Sequence, residues 1–323
     1  MTKVAVLDDW QGVARSSADW WPLTARAEVV FFVEAFANED DAAAKLADFE
    51  IVLTMRERTP LPASLINRLP KLRMLGITGT RNASLDTRAC AVQGVIVCNT
   101  IGGEDSRTAT AELALGLLLA AARWIPAADA NIRAGRFQDG LPVGICLAGK
   151  TIGIIGLGRL GSCMAGYCKA LSMTVLAWSQ NLTAEQARGA GATLVRKEEL
   201  LSRADAVSIH LVLSPRSRGL IGAPDIALMK PGAILINTSR GPIVDEAALV
   251  EAVQSRRIIA ALDVFDREPL PPNHPLRSAP NTVLMPHLGY GVRETLTGFY
   301  RESAENAVAF LDGKPIRVLA VES

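Results

Sequence analysis

The sequence has no excess of charge of either sign. Its 34 Lys and Arg residues balance 33 Asp and Glu residues, giving a formal net charge of +1. Proteins that bind nucleic acid or an anionic membrane carry a basic patch, so we expect neither as a partner. Long hydrophobic runs are also missing, since the longest, residues 113–122, falls well short of the ~20 residues of a membrane-spanning helix. Acidic residues near the N-terminus replace the apolar run of a signal peptide, which predicts a cytoplasmic protein.

Cysteine and histidine are scarce. The five cysteines are odd in number, lie in apolar contexts and show no C-x-x-C spacing, which predicts reduced core thiols and no metal site. They are Cys90, Cys98, Cys146, Cys163 and Cys168. With only three histidines in 323 residues, each one can be assessed individually as a functional candidate.

Short apolar segments alternate with helical ones along the chain, which predicts parallel α/β sheets with helices on both faces. The length of 323 residues favours two domains. The predicted strands of the first series are 3–7, 29–33, 51–54, 71–76 and 95–98, with helices over 40–48 and 63–69. Those of the second are 151–155, 174–178, 206–211, 233–237, 259–263 and 283–285, with helices over 160–171, 224–229 and 245–255. Between the series we predict a long buried or interfacial helix over 108–123 and a connector or projecting arm over 131–149.

The clearest local motif is Gly156-Leu157-Gly158-Arg159-Leu160-Gly161, which follows an apolar strand directly and opens a helix. Gly156 permits a tight turn, Gly158 lets the backbone approach a pyrophosphate, and Gly161 lets helix and strand pack closely. The helix N-terminus favours an anion. A tight turn without a ligand is the simpler interpretation, but the position between strand and helix favours a dinucleotide site that includes Arg159 and Leu160.

The acidic residue expected after the next strand is missing. The segment Trp178-Ser179-Gln180-Asn181 offers no carboxylate for a ribose 2′-hydroxyl, whereas Ser179 and Asn181 can donate hydrogen bonds to a 2′-phosphate. Arg188 is a further nearby charge. We therefore hypothesise that NADP is tolerated or preferred, with NAD versus NADP left open.

Three polar side chains follow predicted strands of the second series: Arg240, Glu268 and His287. Each alone reads best as a solvated surface residue. Because the carboxyl ends of parallel strands meet at one edge, where open α/β sheets bind ligands, together they predict an active site. His210 reads as a packed strand-end residue beside the cofactor, and His274 stays unassigned.

These motifs resemble those of the D-isomer-specific 2-hydroxyacid dehydrogenase family, which includes glyoxylate/hydroxypyruvate reductases and phosphoglycerate dehydrogenases. The matching segments are 156–161, 229–233, 236–241, 262–265, 268–270 and 286–289, in that order. The resemblance covers essentially the whole chain and is weaker before residue 99.

The resemblance implies an α/β fold of two doubly wound domains, in which a Rossmann NAD(P)-binding domain is inserted into a flavodoxin-like substrate domain. The substrate-binding domain would comprise residues 1–101 and 290–323, and the NAD(P)-binding domain residues 102–289. The segment 108–149 resembles the family's dimerisation elements, which implies a homodimer.

It also implies an NAD(P)-dependent 2-oxoacid reductase or D-2-hydroxyacid dehydrogenase. His287 would exchange the proton, Glu268 would orient it, and Arg240 would hold the substrate carboxylate and carbonyl. Thr238 and Asp263 would contact the cofactor, Asp263 on its nicotinamide side. Further substrate contacts would come from the backbone of Thr78, Gly79 and Thr80 and from Arg56, for which a surface salt bridge is an equal alternative.

Single residues distinguish this chain from two other classes of dehydrogenase. Short-chain dehydrogenases need Tyr-x-x-x-Lys, and none of Tyr167, Tyr290 and Tyr300 has lysine four positions later. Formate dehydrogenases resemble the family but carry glutamine where Glu268 stands, which argues against formate as the substrate. An NADH-binding co-repressor-like regulatory protein of the same family remains the alternative function, and the substrate stays open because Tyr290 and residues 80–83 depart from the family pattern.

Overall fold

The computed structural model describes residues 1–103 and 107–320. These residues form two compact units. One takes the described residues before Arg107 together with those from Gly291 onward, and the other is Arg107–Tyr290. Each unit is built on its own parallel sheet, so the predicted α/β class is confirmed.

The first unit has a five-stranded sheet of order β2-β1-β3-β4-β5, which is the order of flavodoxin-like folds. Its strands are β1 (Thr2–Val6), β2 (Ala27–Phe31), β3 (Ile51–Leu53), β4 (Met74–Gly76) and β5 (Ile96–Cys98). Its helices are α1 (Ala14–Ser17), α2 (Trp21–Thr24), α3 (Glu39–Leu46), α4 (Ala63–Ile66), α5 (Thr87–Val92) and, from the C-terminal segment, α13 (Arg293–Leu311). Strands β3 and β4 are apolar and fully buried, as is typical of strands covered on both faces.

The second unit has a seven-stranded sheet of order β12-β11-β10-β9-β6-β7-β8. Its strands are β6 (Thr151–Ile155), β7 (Thr174–Trp178), β8 (Thr193–Leu194), β9 (Ala206–Ile209), β10 (Ile234–Asn237), β11 (Ile259–Leu262) and β12 (Thr282–Leu284). The strand order reverses at β6, which creates the switch point of a doubly wound fold. The sequence predicted six of these strands and missed β8, a two-residue edge strand too short to show a pattern.

Helices cover both faces of this sheet. They are α6 (Ala109–Arg123), α7 (Ile125–Arg133), α8 (Arg159–Ala170), α9 (Ala184–Gly189), α10 (Lys197–Arg203), α11 (Ala223–Leu228) and α12 (Glu246–Gln254). The start of the predicted connector was wrong, because residues 131–133 belong to α7. A left-handed Trp124 at φ 53° separates α6 from α7.

Helix α6 buries residues such as Leu117, Leu118 and Ala121 in one of the two core clusters of this unit. Among the described residues, no single helix is long and apolar enough to cross a membrane. The pair α6 and α7 reaches that length and composition only jointly, with a bend of 65°.

Three of the five cysteines follow the core prediction. Cys90, Cys98 and Cys168 are buried, and burial raises the pKa of the first two thiols to about 11 and of the third to about 12. Cys163 is half-buried. Cys146 is exposed, contrary to the prediction, because it lies in the irregular segment after α7 instead of a sheet or helix core.

Candidate active site

A cavity of about 840 Å³ lies at the switch point of the second unit. Its walls come from the loops that follow β6, β7 and β9, together with part of α9. These are the carboxyl ends of three neighbouring strands in the order β9-β6-β7. The cavity therefore occupies the position at which doubly wound sheets bind dinucleotides.

The three motif glycines meet different steric demands around this cavity. Gly156 adopts φ +94°, and a Cβ there would lie 2.5 Å from the carbonyl oxygen of His210. A Cβ at Gly161 would lie 2.0 Å from the carbonyl oxygen of Gly156, so helix α8 can pack on the turn only without a side chain. A Cβ at Gly158 would meet nothing within 4 Å, which leaves open space at the N-terminus of α8.

Two buried polar atoms near this edge lack a partner among the described residues: Thr238 Oγ1 and His210 Nδ1. Buried polar groups without partners are rare in native proteins and mark sites completed by a ligand or water. Together with the open space at Gly158, they fit a bound dinucleotide. The other ring nitrogen of His210, Nε2, has a hydrogen-bond partner within the chain, since it lies 2.9 Å from Ser208 Oγ. Burial lowers the pKa of His210 to about 4, so this imidazole stays neutral at physiological pH.

At the end of β7, Ser179, Gln180 and Asn181 line the cavity, and no carboxylate does so among the described lining residues. Arg188 is exposed on α9 and is not part of the lining. Arg216 does line it, and the sequence reasoning missed this residue. The available signal was its position in the loop after β9, the strand that pairs with β6.

The imidazole of His287 pairs with the carboxylate of Glu268. Glu268 Oε2 lies 2.5 Å from His287 Nδ1, and Glu268 Oε1 accepts a hydrogen bond of 2.9 Å from the amide of Phe265. Both side chains remain partly exposed, at 23% for His287 and 33% for Glu268. The structure thus brings together two of the three strand-end residues that the sequence predicted, and the contact engages Nδ1 of the imidazole.

Asp263 fixes the loop that carries His287. Its Oδ1 accepts from the amide of Leu288 at 2.7 Å, and its Oδ2 accepts from the amide of Gly289 at 2.8 Å. Burial raises the pKa of Asp263, and these two amides partly offset that effect. The carboxylate is fully buried. Asp263 therefore supports the backbone that follows His287. His287 itself adopts a left-handed φ of 55°.

Arg240 stands on the neighbouring loop, after β10. Its Nη1 donates to the carbonyl of Ser239 at 2.7 Å, and its own carbonyl accepts from Asn237 Nδ2 at 2.9 Å. A Cβ on Gly241 would lie 2.1 Å from the carbonyl carbon of Phe265, so this loop packs directly on the one that positions Glu268. The side chains predicted as a triad therefore stand on three loops at one sheet edge, after β10, β11 and β12.

In the first unit, the predicted substrate residues form a local network. Arg56 has a left-handed φ of 53°; its amide donates to Thr78 Oγ1 at 2.6 Å, and its Nη1 donates to the carbonyl of Thr78 at 3.0 Å. Arg56 also pairs with Glu57, with Nε and Oε2 3.6 Å apart. The amide of Gly79 donates to Thr100 Oγ1 at 3.0 Å, so this amide already has a partner within the chain. Thr80 follows Gly79 in an exposed position.

His274, which the sequence left unassigned, has a structural environment. Its Nε2 lies 3.1 Å from Glu246 Oε1, and its Nδ1 accepts from the amide of Leu276 at 3.3 Å. It caps the short 3₁₀ turn Pro275–Arg277. This second His–Glu pair provides an internal comparison for the pair of His287 and Glu268.

Comparison with known proteins agrees with this geometry. Residues 115–289 match the family model described as D-isomer specific 2-hydroxyacid dehydrogenase, NAD binding domain. The chain is 41% identical over 262 residues to a glyoxylate reductase of Aeropyrum pernix, covering 79% of this chain and 78% of that protein. It is 36% identical over 286 residues to a D-3-phosphoglycerate dehydrogenase of Archaeoglobus fulgidus, covering 88% of this chain and 54% of that protein.

A solved structure extends the similarity to nearly the full length. The crystal structure of a phosphoglycerate oxidoreductase from Vibrio cholerae aligns with a TM-score of 0.91 and 34% identity, covering 97% of this chain and 100% of that one. By contrast, the chain spans about half the length of the curated phosphoglycerate dehydrogenases that it matches, 54% for the Archaeoglobus fulgidus protein.

Proposed function

This chain belongs to the D-isomer-specific 2-hydroxyacid dehydrogenase family, and on that premise we propose that it is an NAD(P)-dependent oxidoreductase acting on a small 2-oxo or 2-hydroxy acid. The observation that carries this proposal is the contact of 2.5 Å between Glu268 and His287. It lies at the carboxyl edge of the same sheet whose glycine turn borders the cavity. Residues 107–290 would hold the cofactor, and the first unit would bind the substrate.

When bound, the dihydronicotinamide supplies the hydride that reduces the 2-carbonyl carbon. His287, as imidazolium, donates a proton to the carbonyl oxygen as negative charge develops on it, which is the usual work of a general acid. Glu268 holds Nδ1 and stabilises the charged ring, so Nε2 is the atom that exchanges the proton. Asp263 secures the backbone after His287 and so positions the ring.

Arg240 recognises the substrate carboxylate and carbonyl oxygen. Its planar guanidinium can donate two parallel hydrogen bonds, whereas lysine presents a single ammonium. The backbone of Thr78, Gly79 and Thr80 is the proposed carboxylate loop of the first unit. Arg56 would contact a larger substrate, although the hydrogen bonds it makes to Thr78 already engage it.

The ribose end favours NADP as a tolerated or preferred cofactor. Ser179 and Asn181 line the cavity as neutral donors where a carboxylate would repel a 2′-phosphate. Thr238 and the turn residues Gly156–Gly161 complete the proposed contacts, and neutral His210 forms part of the wall.

We also propose a homodimer formed through α6, α7 and the segment that follows. Four large apolar side chains of α7 and that segment are exposed by half or more: Ile125, Ile132, Phe137 and Val143. A second copy of this chain would cover them. Sedimentation analysis of Val143→Asp against the native chain tests this, and a native chain that sediments as a monomer would contradict it.

The decisive test of function is a steady-state screen of glyoxylate, hydroxypyruvate and related 2-oxo acids with NADH and NADPH. Turnover with at least one acid is expected in the native chain. His287→Ala should lose ~10²-fold or more in kcat, because it removes the proton donor, whereas His274→Ala should retain turnover. Cofactor binding without turnover of any acid would favour a regulatory binding protein instead.

A further inference from the structure

We propose that Arg216, on the loop after β9, binds the 2′-phosphate of NADP(H) and thereby distinguishes NADP(H) from NAD(H). This inference rests on the proposed nicotinamide cofactor and names the group that selects its phosphorylated form. Conventional positions for this role follow the second strand of the fold, which here ends in neutral Ser179, Gln180 and Asn181. The positive charge comes instead from the opposite wall of the cavity.

Charge distinguishes Arg216 from every other side chain of the cavity. Among the described residues that line it, Arg216 is the only charged one. Within residues 1–103 and 107–320, it also has no ion-pair partner at 4.0 Å or less. An arginine that faces a cavity without a carboxylate to neutralise it forms a site for an anion, and a 2′-phosphate is the dinucleotide's anionic group at this end.

Topology places the two walls around the same part of a dinucleotide. Strand β6, which carries the glycine turn, lies between β7 and β9. The loop after β7 and the loop after β9 therefore flank the turn, and both contribute to one cavity. A ribose held at Ser179 would have Arg216 across from it, so neutral donors and a guanidinium can share one phosphate.

The loop that carries Arg216 is held by its own hydrogen bonds. Ser217 Oγ donates to the carbonyl of Val212 at 2.7 Å, and the amide of Ser214 donates to Ser217 Oγ at 2.8 Å. Ser217 is buried. Because its neighbour is fixed in this way, Arg216 emerges from a pre-organised backbone, which lowers the entropy lost when an anion binds.

Two other arginines lie near this end of the cavity but do not fit the role of binding the 2′-phosphate. Arg188 on α9 and Arg216 are both exposed, but Arg188 lies outside the cavity lining, although Gln186 and Gly189 on the same helix belong to it. Arg218 acts on the carboxyl group of Asp266, where its charge lowers the pKa against the larger effect of burial. Arg188→Ala therefore serves as a matched control that removes an equal charge nearby.

The test uses fragments that report on binding without turnover. Calorimetric titration of the full chain with 2′,5′-ADP and with 5′-AMP compares ligands that differ only in the 2′-phosphate. We expect Arg216→Ala to weaken 2′,5′-ADP binding by ~10–100-fold, the range of a hydrogen-bonded charge pair. Binding of 5′-AMP should change by less than ~3-fold, and Arg188→Ala should resemble the native chain for both ligands.

Each other outcome overturns the inference in a recognisable way. An equal loss for both fragments would mean that Arg216 stacks on adenine, and unchanged 2′,5′-ADP binding would mean that it contacts neither. A native preference for 5′-AMP would also overturn it, while the proposed dehydrogenase function would stand. If the native chain bound neither fragment, the cavity would not be a nucleotide site and both proposals would fail. Arg216→Gln, which keeps the size of the side chain, repeats the comparison if the alanine variant folds poorly.

Discussion

Glu268 Oε2 contacts His287 Nδ1 at 2.5 Å, while the other oxygen of the same carboxylate accepts the amide of Phe265 at 2.9 Å. Both oxygens of Glu268 are thereby committed, one to the ring and one to the backbone of its own loop. The carboxylate is therefore held by its own loop while it contacts Nδ1, and in the proposed mechanism Nε2 is the nitrogen of His287 that exchanges the proton.

Glu268→Gln should lower kcat by ~10²-fold, because the amide loses the charge that stabilises the imidazolium and can present its NH₂ group to Nδ1. The KM for the cofactor should change little, since Glu268 does not line the cavity proposed to hold it. Steady-state kinetics with both substrates check this. Glu246→Gln is the matched control, because Glu246 pairs with His274 at 3.1 Å in the same unit. Equal losses in the two variants would mean that the effect is on folding.

The sequence correctly predicted which residues follow the carboxyl ends of the strands. Parallel strands bring these ends to one edge of the sheet whatever the conformation of the loops. Glu268 and His287 are 19 residues apart and nevertheless touch. The steric roles of Gly156 and Gly161 could be predicted because both follow from the geometry of a strand–turn–helix unit. These features depend on local pattern and topology, which a sequence displays.

The features missed by the sequence depend on contacts that leave no pattern. Arg216 lies in a loop without periodicity, and only the path of that loop brings it to the cavity. The sequence predicted only a cofactor contact for Asp263. The structure adds hydrogen bonds from the backbone amides of Leu288 and Gly289, and backbone amides cannot be recognised from residue types. Cys146 reads as apolar in sequence, but an irregular segment leaves it exposed.

Arg240→Lys should reduce kcat/KM for the oxo acid by ~10²-fold, since an ammonium cannot reproduce the two parallel hydrogen bonds of a guanidinium. Binding of 2′,5′-ADP should be unchanged, because Arg240 does not line the cavity proposed to hold the cofactor. Arg203→Lys, at a surface ion pair with Glu199 in the same unit, controls for loss of an arginine. Near-normal turnover in the Arg240 variant would remove this residue from the substrate site.

Three alanine substitutions on one turn and its helix should separate folding from cofactor binding. Gly161→Ala should destabilise the protein by ~1–3 kcal/mol, because its Cβ would lie 2.0 Å from the Gly156 carbonyl oxygen. Gly166→Ala, exposed on the same helix with nothing within 4 Å of its Cβ, should be stabilising by ~0.5–1 kcal/mol.

Gly158→Ala should fold normally, because Gly158 has φ −79° and open space around its Cβ position. It should nevertheless weaken dinucleotide binding, because the added methyl group occupies the space left for the pyrophosphate. Urea unfolding and calorimetric titration of NADPH measure the two effects. Normal NADPH affinity in Gly158→Ala would show that the pyrophosphate does not approach this turn.

Asp8, after β1 in the first unit, is a buried carboxylate with incomplete hydrogen bonding. It is 1% exposed and left-handed at φ 61°, and Thr59 Oγ1 donates to its Oδ1 at 2.9 Å. Its Oδ2 has no partner among the described residues. Burial is the largest influence and raises the pKa of Asp8 from 3.8 to about 6, against the opposing effects of Thr59 and Arg58.

Asp8→Asn should therefore stabilise the protein by an amount that grows with pH. Below pH 3.8 the native carboxyl is neutral in both folded and unfolded states, whereas above pH 6 the folded state must hold a buried charge. The native chain thus loses stability between these values, by roughly 3 kcal/mol, and asparagine does not. Asparagine also tolerates positive φ, but that gain is independent of pH. Urea unfolding at pH 4 and pH 7.5 measures the difference; Asp48→Asn is the control, because Lys71 lowers the pKa of that exposed carboxyl. A stability difference for Asp8→Asn that is equal at the two pH values would mean that Asp8 does not titrate in this window.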